Sequence, residues 1–153
     1  MSERSTHHNT FVIERVYAAA PARVFKAFAD PAAKARWFGG PAEWERGPSE
    51  FDFRVGGHES SSGGPKGGQV HRFEARYYDI VPNERIIYSY DLYLDATRIS
   101  VSLTTIELKP AGAGTRLIFT EQGVFLDGYD DAGSREHGSR WLLEKLDESL
   151  QRA

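Results

Sequence analysis

Ser134-Arg135-Glu136-His137-Gly138-Ser139-Arg140-Trp141-Leu142-Leu143-Glu144-Lys145-Leu146-Asp147-Glu148-Ser149-Leu150, near the C-terminus, is the stretch whose reading decides the fold. Leu142, Leu146 and Leu150 recur every four residues with Leu143 beside them, the spacing of a helix with one apolar face. Each leucine buried on that face contributes about 1.5–3 kcal/mol of transfer free energy, so this half of the helix requires a broad apolar partner. Traced toward the N-terminus, the stripe passes Gly138 and then Ser134 and loses its bulk. Either the small residues leave a void that a ligand can fill, or they admit close contact between helix and sheet.

The partner is upstream, in a series of β-like segments. Residues 11–17 are rich in β-branched and aromatic side chains and read as a first strand. Pro21 then suits the first turn of a helix carrying Val24, Phe25 and Phe28, and Asp30-Pro31 opens a second over residues 32–38, ended by Gly39-Gly40-Pro41. From residue 50 the period changes to two: Phe51, Phe53 and Val55 share a face, residues 58–62 form a short edge strand, and Gly63 to Gly68 turn the chain. Residues 69–81 alternate Phe73, Ala75 and Tyr77 against Arg72, Glu74 and Arg76, and residues 85–94 place Ile86, Tyr88, Tyr90 and Leu92 together. In residues 97–109 Ile99, Val101 and Leu103 point one way before Ile106 and Leu108 reverse the phase, which predicts a bulge near Thr104 and Thr105. Residues 115–122 close the series. Short turns between consecutive strands predict an antiparallel meander, hence an α+β domain: a curved sheet of six to seven strands around a long C-terminal helix, with two short helices after strand one. Residues 1–9 are expected as a disordered tail and 10–153 as one domain.

Composition narrows the function. The chain has 153 residues, 40% hydrophobic and 27% charged, enough for one domain with a core and a modest pocket. Lys and Arg total 19 against 22 Asp and Glu, a net charge of −3, so there is no basic field for phosphate backbones and no nucleic-acid partner is expected. The absence of cysteine excludes disulfides, thiolate catalysis and sulfur-ligated zinc. No stretch has signal-peptide or membrane-span character, so a soluble, cytoplasmic protein is expected. His7-His8 falls in the expected tail, His58-Glu59 does not form HExxH, the glycines at 63–68 lack the phosphate-loop pattern, and there is no GxSxG elbow. Asp127, Asp130 and Asp131 precede the final helix and read as capping residues rather than a calcium loop. No metal or cofactor is expected.

Several motifs carry a family resemblance. The order of elements resembles the START-related superfamily with the helix-grip fold, which includes birch-pollen-allergen-like proteins and polyketide cyclases. More narrowly, Ala20-Pro21-Ala22-Arg23-Val24-Phe25, Ala35-Arg36-Trp37-Phe38, Phe53-Arg54-Val55-Gly56-Gly57, Pro82-Asn83-Glu84-Arg85-Ile86 and Gly114-Thr115-Arg116-Leu117 are similar to the branch named after the activator of the ninety-kilodalton heat-shock-protein ATPase. The resemblance spans about residues 10–150. It implies a cavity between the final helix, the sheet and the short helices, with Trp37, Phe38, Phe53, Phe73, Tyr88, Tyr90, Phe119 and Trp141 as candidate lining. Ser134 and Gly138 belong to the thinned stripe. Among polar candidates, Glu121 shares parity with Phe119, His71 shares parity with Phe73, and His137 lies one turn before Trp141.

Three functions are therefore expected in order: binding or transport of a small apolar or aromatic molecule of the lipid, polyketide or flavonoid class, with a stress-related role within that reading; a cyclase- or hydrolase-type enzyme using Glu121 or His71 as acid or base; and a co-chaperone, suggested by the family name alone. A small apolar molecule is the expected partner and a chaperone is not. Pairing of two copies as a homodimer is left open.

Overall fold

Local signals set the element boundaries in a computed structural model of the chain, which describes residues 3–152. The elements are β1 (Thr6–Tyr17), α1 (Pro21–Ala29), α2 (Pro31–Ala35), β2 (Glu45–Arg46), β3 (Glu50–Phe51), β4 (His58–Gly64), β5 (His71–Val81), β6 (Arg85–Leu94), β7 (Thr97–Ala111), β8 (Gly114–Leu126) and α3 (Ala132–Gln151). Pro21 starts α1, and the Asp30 side chain caps α2 by accepting from the Ala33 N–H at 2.9 Å. Asn83 and Asp95 take left-handed backbone conformations in the turns flanking β6, where their short polar side chains tolerate positive φ. Among the described residues the eight strands form one antiparallel sheet in the order β1-β8-β7-β6-β5-β4-β2, with β3 paired to β4. The architecture is the α+β helix-grip arrangement, and the two-residue strands β2 and β3 raise the strand count above the six to seven expected.

The sheet's inner face packs on α3. Leu143, Leu146 and Leu150 join Ile13, Val24, Phe28, Ile106 and Leu117 in one buried core. Tyr17 fastens β1 to the helix by donating its hydroxyl to the Leu143 carbonyl at 2.9 Å. The Asp131 carboxylate accepts from the Ser134 N–H at 2.8 Å and caps the helix start.

Several expectations are corrected. β1 begins at Thr6, so residues 6–9, expected as tail, pair with β8 from Thr6 opposite Leu126 to Asn9 opposite Gly123, and His7-His8 lies inside the ladder. Residues 1–2 of that tail and residue 153 lie outside the described residues. β8 continues past Gly123 to Leu126, which places Glu121 within the strand rather than at its end. α2 stops at Ala35, Val55 is exposed, and the regular strand there ends at Phe51. Of the three aspartates read as caps, only Asp131 caps α3; Asp127 accepts from the Ser5 N–H and Arg4, and Asp130 accepts from Arg135.

The β7 phase is also corrected. Thr104 and Thr105 pair in regular register with Tyr88 and Ile87, and the register slips instead between Leu92 and Tyr93, where Ile99 is the extra residue. Ser100, Ser102 and Thr104 face inward and are buried, while Val101 and Leu103 are exposed on the outer face. The hydrophobic pattern misassigns this strand because its inner side is polar there.

Leu146 is fully buried and Val16 is 71% exposed. Leu146→Ala is expected to cost about 2–5 kcal/mol of unfolding free energy and Val16→Ala less than about 0.5 kcal/mol, measured by urea denaturation.

Candidate functional site

Toward the N-terminal half of α3 the helix stands off from the sheet. The buried side chains along it run Arg135, Ser139, Leu143, Leu146 and Leu150, so the stripe lies one residue away from the expected 134-138-142 line. Gly138 and Ser134 border the gap, and a Cβ built on Gly138 would meet no atom within 4 Å. The small residues therefore mark open space rather than close contact. The result is a cavity of about 410 Å³.

Most of its wall comes from three strands, one loop segment and α3. β5 and β6 supply His71, Phe73, Tyr88, Tyr90 and Leu92, and β8 supplies Phe119 and Glu121. The segment from Trp37 to Trp44 closes one side, and α3 supplies Trp141, Leu142 and Leu143 beside the small residues. The rings interlock: Phe38 meets Phe73 edge-on with centroids 5.1 Å apart, Phe73 lies 4.9 Å from Tyr90, and Trp37 sits 5.7 Å from Phe38. Trp37 is anchored by its indole N–H, which donates to the Ala27 carbonyl at 2.9 Å. Trp141 is 38% exposed, and the ammonium of Lys145 lies 5.4 Å from its ring.

A buried polar network occupies the end of the cavity under the start of α3. Tyr90 donates its hydroxyl to Glu121 Oε2 at 2.9 Å and accepts from Arg135 Nη1 at 3.0 Å. Thr104 donates to Glu121 Oε1 at 3.2 Å. Arg135 Nη2 donates to Ser100 at 2.7 Å and to Asp130 at 2.9 Å. Burial pushes the Glu121 carboxyl above its usual range, opposed by the Arg135 charge and by the bonds from Tyr90 and Thr104. Burial also pushes the Tyr88 and Tyr90 hydroxyls up, so both are neutral. His71 has its pKa lowered, chiefly by burial, against the pull of Asp130 and Asp95.

Of the residues expected at the site, Trp37, Phe38, His71, Phe73, Tyr88, Tyr90, Phe119, Glu121, Ser134, Gly138 and Trp141 come together around this cavity. Phe53 and His137 do not. Phe53 packs edge-on against Phe25 and Tyr77 at 5.8 and 5.0 Å, because the chain leaves the strand path before reaching it. His137 is exposed on α3, away from the lining. Sequence reasoning missed Arg135, Ser139, Asp130 and Trp44. A signal existed for two of them: Arg135 and Ser139 precede Leu143 by eight and four residues, on the face the leucine defines.

A second buried network lies outside the lining. Lys34 and Tyr77 each donate to Glu59 Oε1 at 2.5 Å, and the Lys34 ammonium sits 4.4 Å from the Phe38 ring centroid. Burial pushes the Lys34 pKa down against the Glu59 charge. Among the described residues no group of three His, Asp or Glu side chains converges as a metal site, and no helix is long and apolar enough to cross a membrane.

A sheet that grips a C-terminal helix and parts from it over an aromatic cavity defines a helix-grip protein. The chain belongs to the family described as Activator of Hsp90 ATPase homolog 1-like protein, whose model matches residues 18–151. It is similar to a crystal structure from Rhizobium loti at 49% identity and a TM-score of 0.88, over 95% of this chain and 99% of that one. A structure from Rhizobium leguminosarum matches at 46% identity and a TM-score of 0.94, over 99% and 100%. A third, from Chromobacterium violaceum, matches at 31% identity and 0.79, over 95% and 99%. No curated protein matches the chain.

Two outcomes follow from the network. Arg135→Ala leaves Glu121 and Asp130 without their shared cation and is expected to cost about 3–5 kcal/mol of stability in chemical denaturation. For Glu121 the folded chain holds its proton more tightly than the unfolded chain, so ionisation costs stability as pH rises from the unfolded pKa through the higher folded one, and the cost is complete above it. Glu121→Gln removes that cost, so its stability relative to the unsubstituted chain should rise as pH climbs above the unfolded carboxyl value of about 4 in urea titrations. A pH-independent difference would contradict the assignment.

Proposed function

We propose that the chain binds and carries a small apolar or aromatic molecule between α3 and the inner face of the sheet. The observation that supports this reading is the aromatic-walled space of about 410 Å³ beside Gly138, where the helix face has no side chain to fill it. That volume falls in the range of small-molecule sites, about 300–1,000 Å³, and few polar groups converging on a largely apolar wall is the usual composition of one. The lipid, polyketide and flavonoid classes all present the flat or flexible apolar bodies that such rings accept.

Binding stands ahead of acid–base catalysis because both Glu121 oxygens already accept hydrogen bonds from Tyr90 and Thr104. A catalytic carboxylate has to reach substrate, and this one is only 2% exposed.

The neutral fluorescent probe N-phenyl-1-naphthylamine tests the reading without charge. The unsubstituted chain should give a saturable one-to-one fluorescence rise, and Gly138→Leu should abolish it. The variant should stay as stable as the parent, or gain up to about 1 kcal/mol, because leucine is the better helix former and the site is open. Saturable binding unaltered by Gly138→Leu, or no binding and no thermal shift in the unsubstituted chain, would count against it.

A further inference from the structure

We propose that the molecule held in this cavity is an amphipathic acid, with its apolar body among the aromatic rings and its carboxylate on Arg46 in a side compartment at the β2–β4 edge. The inference rests on the cavity-binding reading and narrows its ligand class.

The compartment measures about 210 Å³ and shares Phe38, Trp44, His71 and Leu142 with the main cavity. The two spaces meet beside the stacked Trp44 and His71 rings, whose centroids are 4.7 Å apart. Strand register builds the compartment. Arg46 pairs with Gly63 and Gly63 pairs with His71, so the three stand in one row on the inner face of the sheet. Gly63 contributes no side chain, and the row becomes a trough with a guanidinium at one end and an imidazole at the other. Ser61, opposite Phe73, adds a hydroxyl on the same face. The guanidinium lies against Gly39, which has φ of +134° and where a Cβ would come within 2.6 Å of Arg46 Nη1. The glycine leaves the space that Arg46 occupies.

Charge accounting picks out the acid. Arg135, the guanidinium of the main cavity, is already matched by Asp130 and has Glu121 at 3.8 Å. Arg46 makes no ion pair among the described residues. His71, with its pKa lowered by burial, is neutral at pH 7 and brings no competing charge. An anionic group at the Glu121 end would face two carboxylates, whereas at the other end it meets an uncommitted planar guanidinium, whose paired N–H donors match a carboxylate's two oxygens. The ligand is thereby oriented, tail toward α3 and acid toward β2.

The test is calorimetry with 6-phenylhexanoate and 6-phenylhexan-1-ol, which share a body and differ in charge. The acid should bind the unsubstituted chain about tenfold more tightly than the alcohol at low salt, the scale of one partly exposed charge-assisted contact. That preference should shrink as salt is raised. Arg46→Gln should erase it by weakening the acid about tenfold and the alcohol far less, with the parent's circular dichroism and melting temperature retained, and Arg46→Lys should keep part of it. Equal binding of acid and alcohol, or an acid preference that survives Arg46→Gln, overturns the anionic end and leaves the cavity reading standing. If neither compound binds, both fall.

Discussion

Leu143, Leu146 and Leu150 hold α3 against the sheet, and the cavity exists because that contact stops one turn short of Ser139. From there toward Asp131 the helix buries a serine and an arginine instead of branched aliphatic side chains. Ser139 is too small to fill the gap, and Arg135 spans it with hydrogen bonds to the sheet rather than with apolar packing. Hydrophobic clamping at one end and polar spacing at the other are consequences of the same 3.6-residue period.

Arg135 acts as the spacer. Its guanidinium reaches across to Ser100 and Ser102 on β7, to Tyr90 on β6 and to Asp130 before the helix. Each of those strand residues is small or offers an oxygen, so the sheet under the helix start is built to receive a cation rather than a hydrophobic knob. With Arg135 only 9% exposed, removing it leaves several desolvated oxygens without their donor at once.

Most of the fold was legible because strong periodicities carry it: the alternation of β5 and β6 reads correctly from residue types, and the leucines of α3 give the helix and its apolar side, though the buried line runs through Leu143 rather than Leu142. What was not legible has a common cause. In β7 the inner face is Ser100, Ser102 and Thr104 and the outer face includes Val101 and Leu103, so a rule that sends apolar side chains inward assigns the strand backwards and places its irregularity at Thr104 instead of Ile99. The same inversion hid Arg135, since an arginine on a helix reads as solvated unless its partners are known. Glu121 shares parity with Phe119, yet the sequence reading closes the strand at residue 122; β8 runs on because β1 and β7 pair with it on both sides as far as Phe125. Trp44 lies in the irregular segment between α2 and the two-residue β2, where no period exists to assign a face.

The two buried networks share one design. Each joins a cation from a helix, a carboxylate from one strand and a tyrosine from another: Lys34, Glu59 and Tyr77 under α2, and Arg135, Glu121 and Tyr90 under α3. Tyr77 and Tyr90 belong to adjacent strands, with Tyr88 paired to Tyr77 and Ala75 to Tyr90, so the tyrosines descend from one aromatic patch at the centre of the sheet. A helix joined to the sheet by directional bonds is fixed in height as well as position, because shortening the gap would break the geometry those bonds require. Two such supports flank Phe38, Phe73 and Tyr88. Between them the aromatic surface is spanned without being covered, and a cavity with an apolar wall follows from where the polar groups are, as much as from where they are absent.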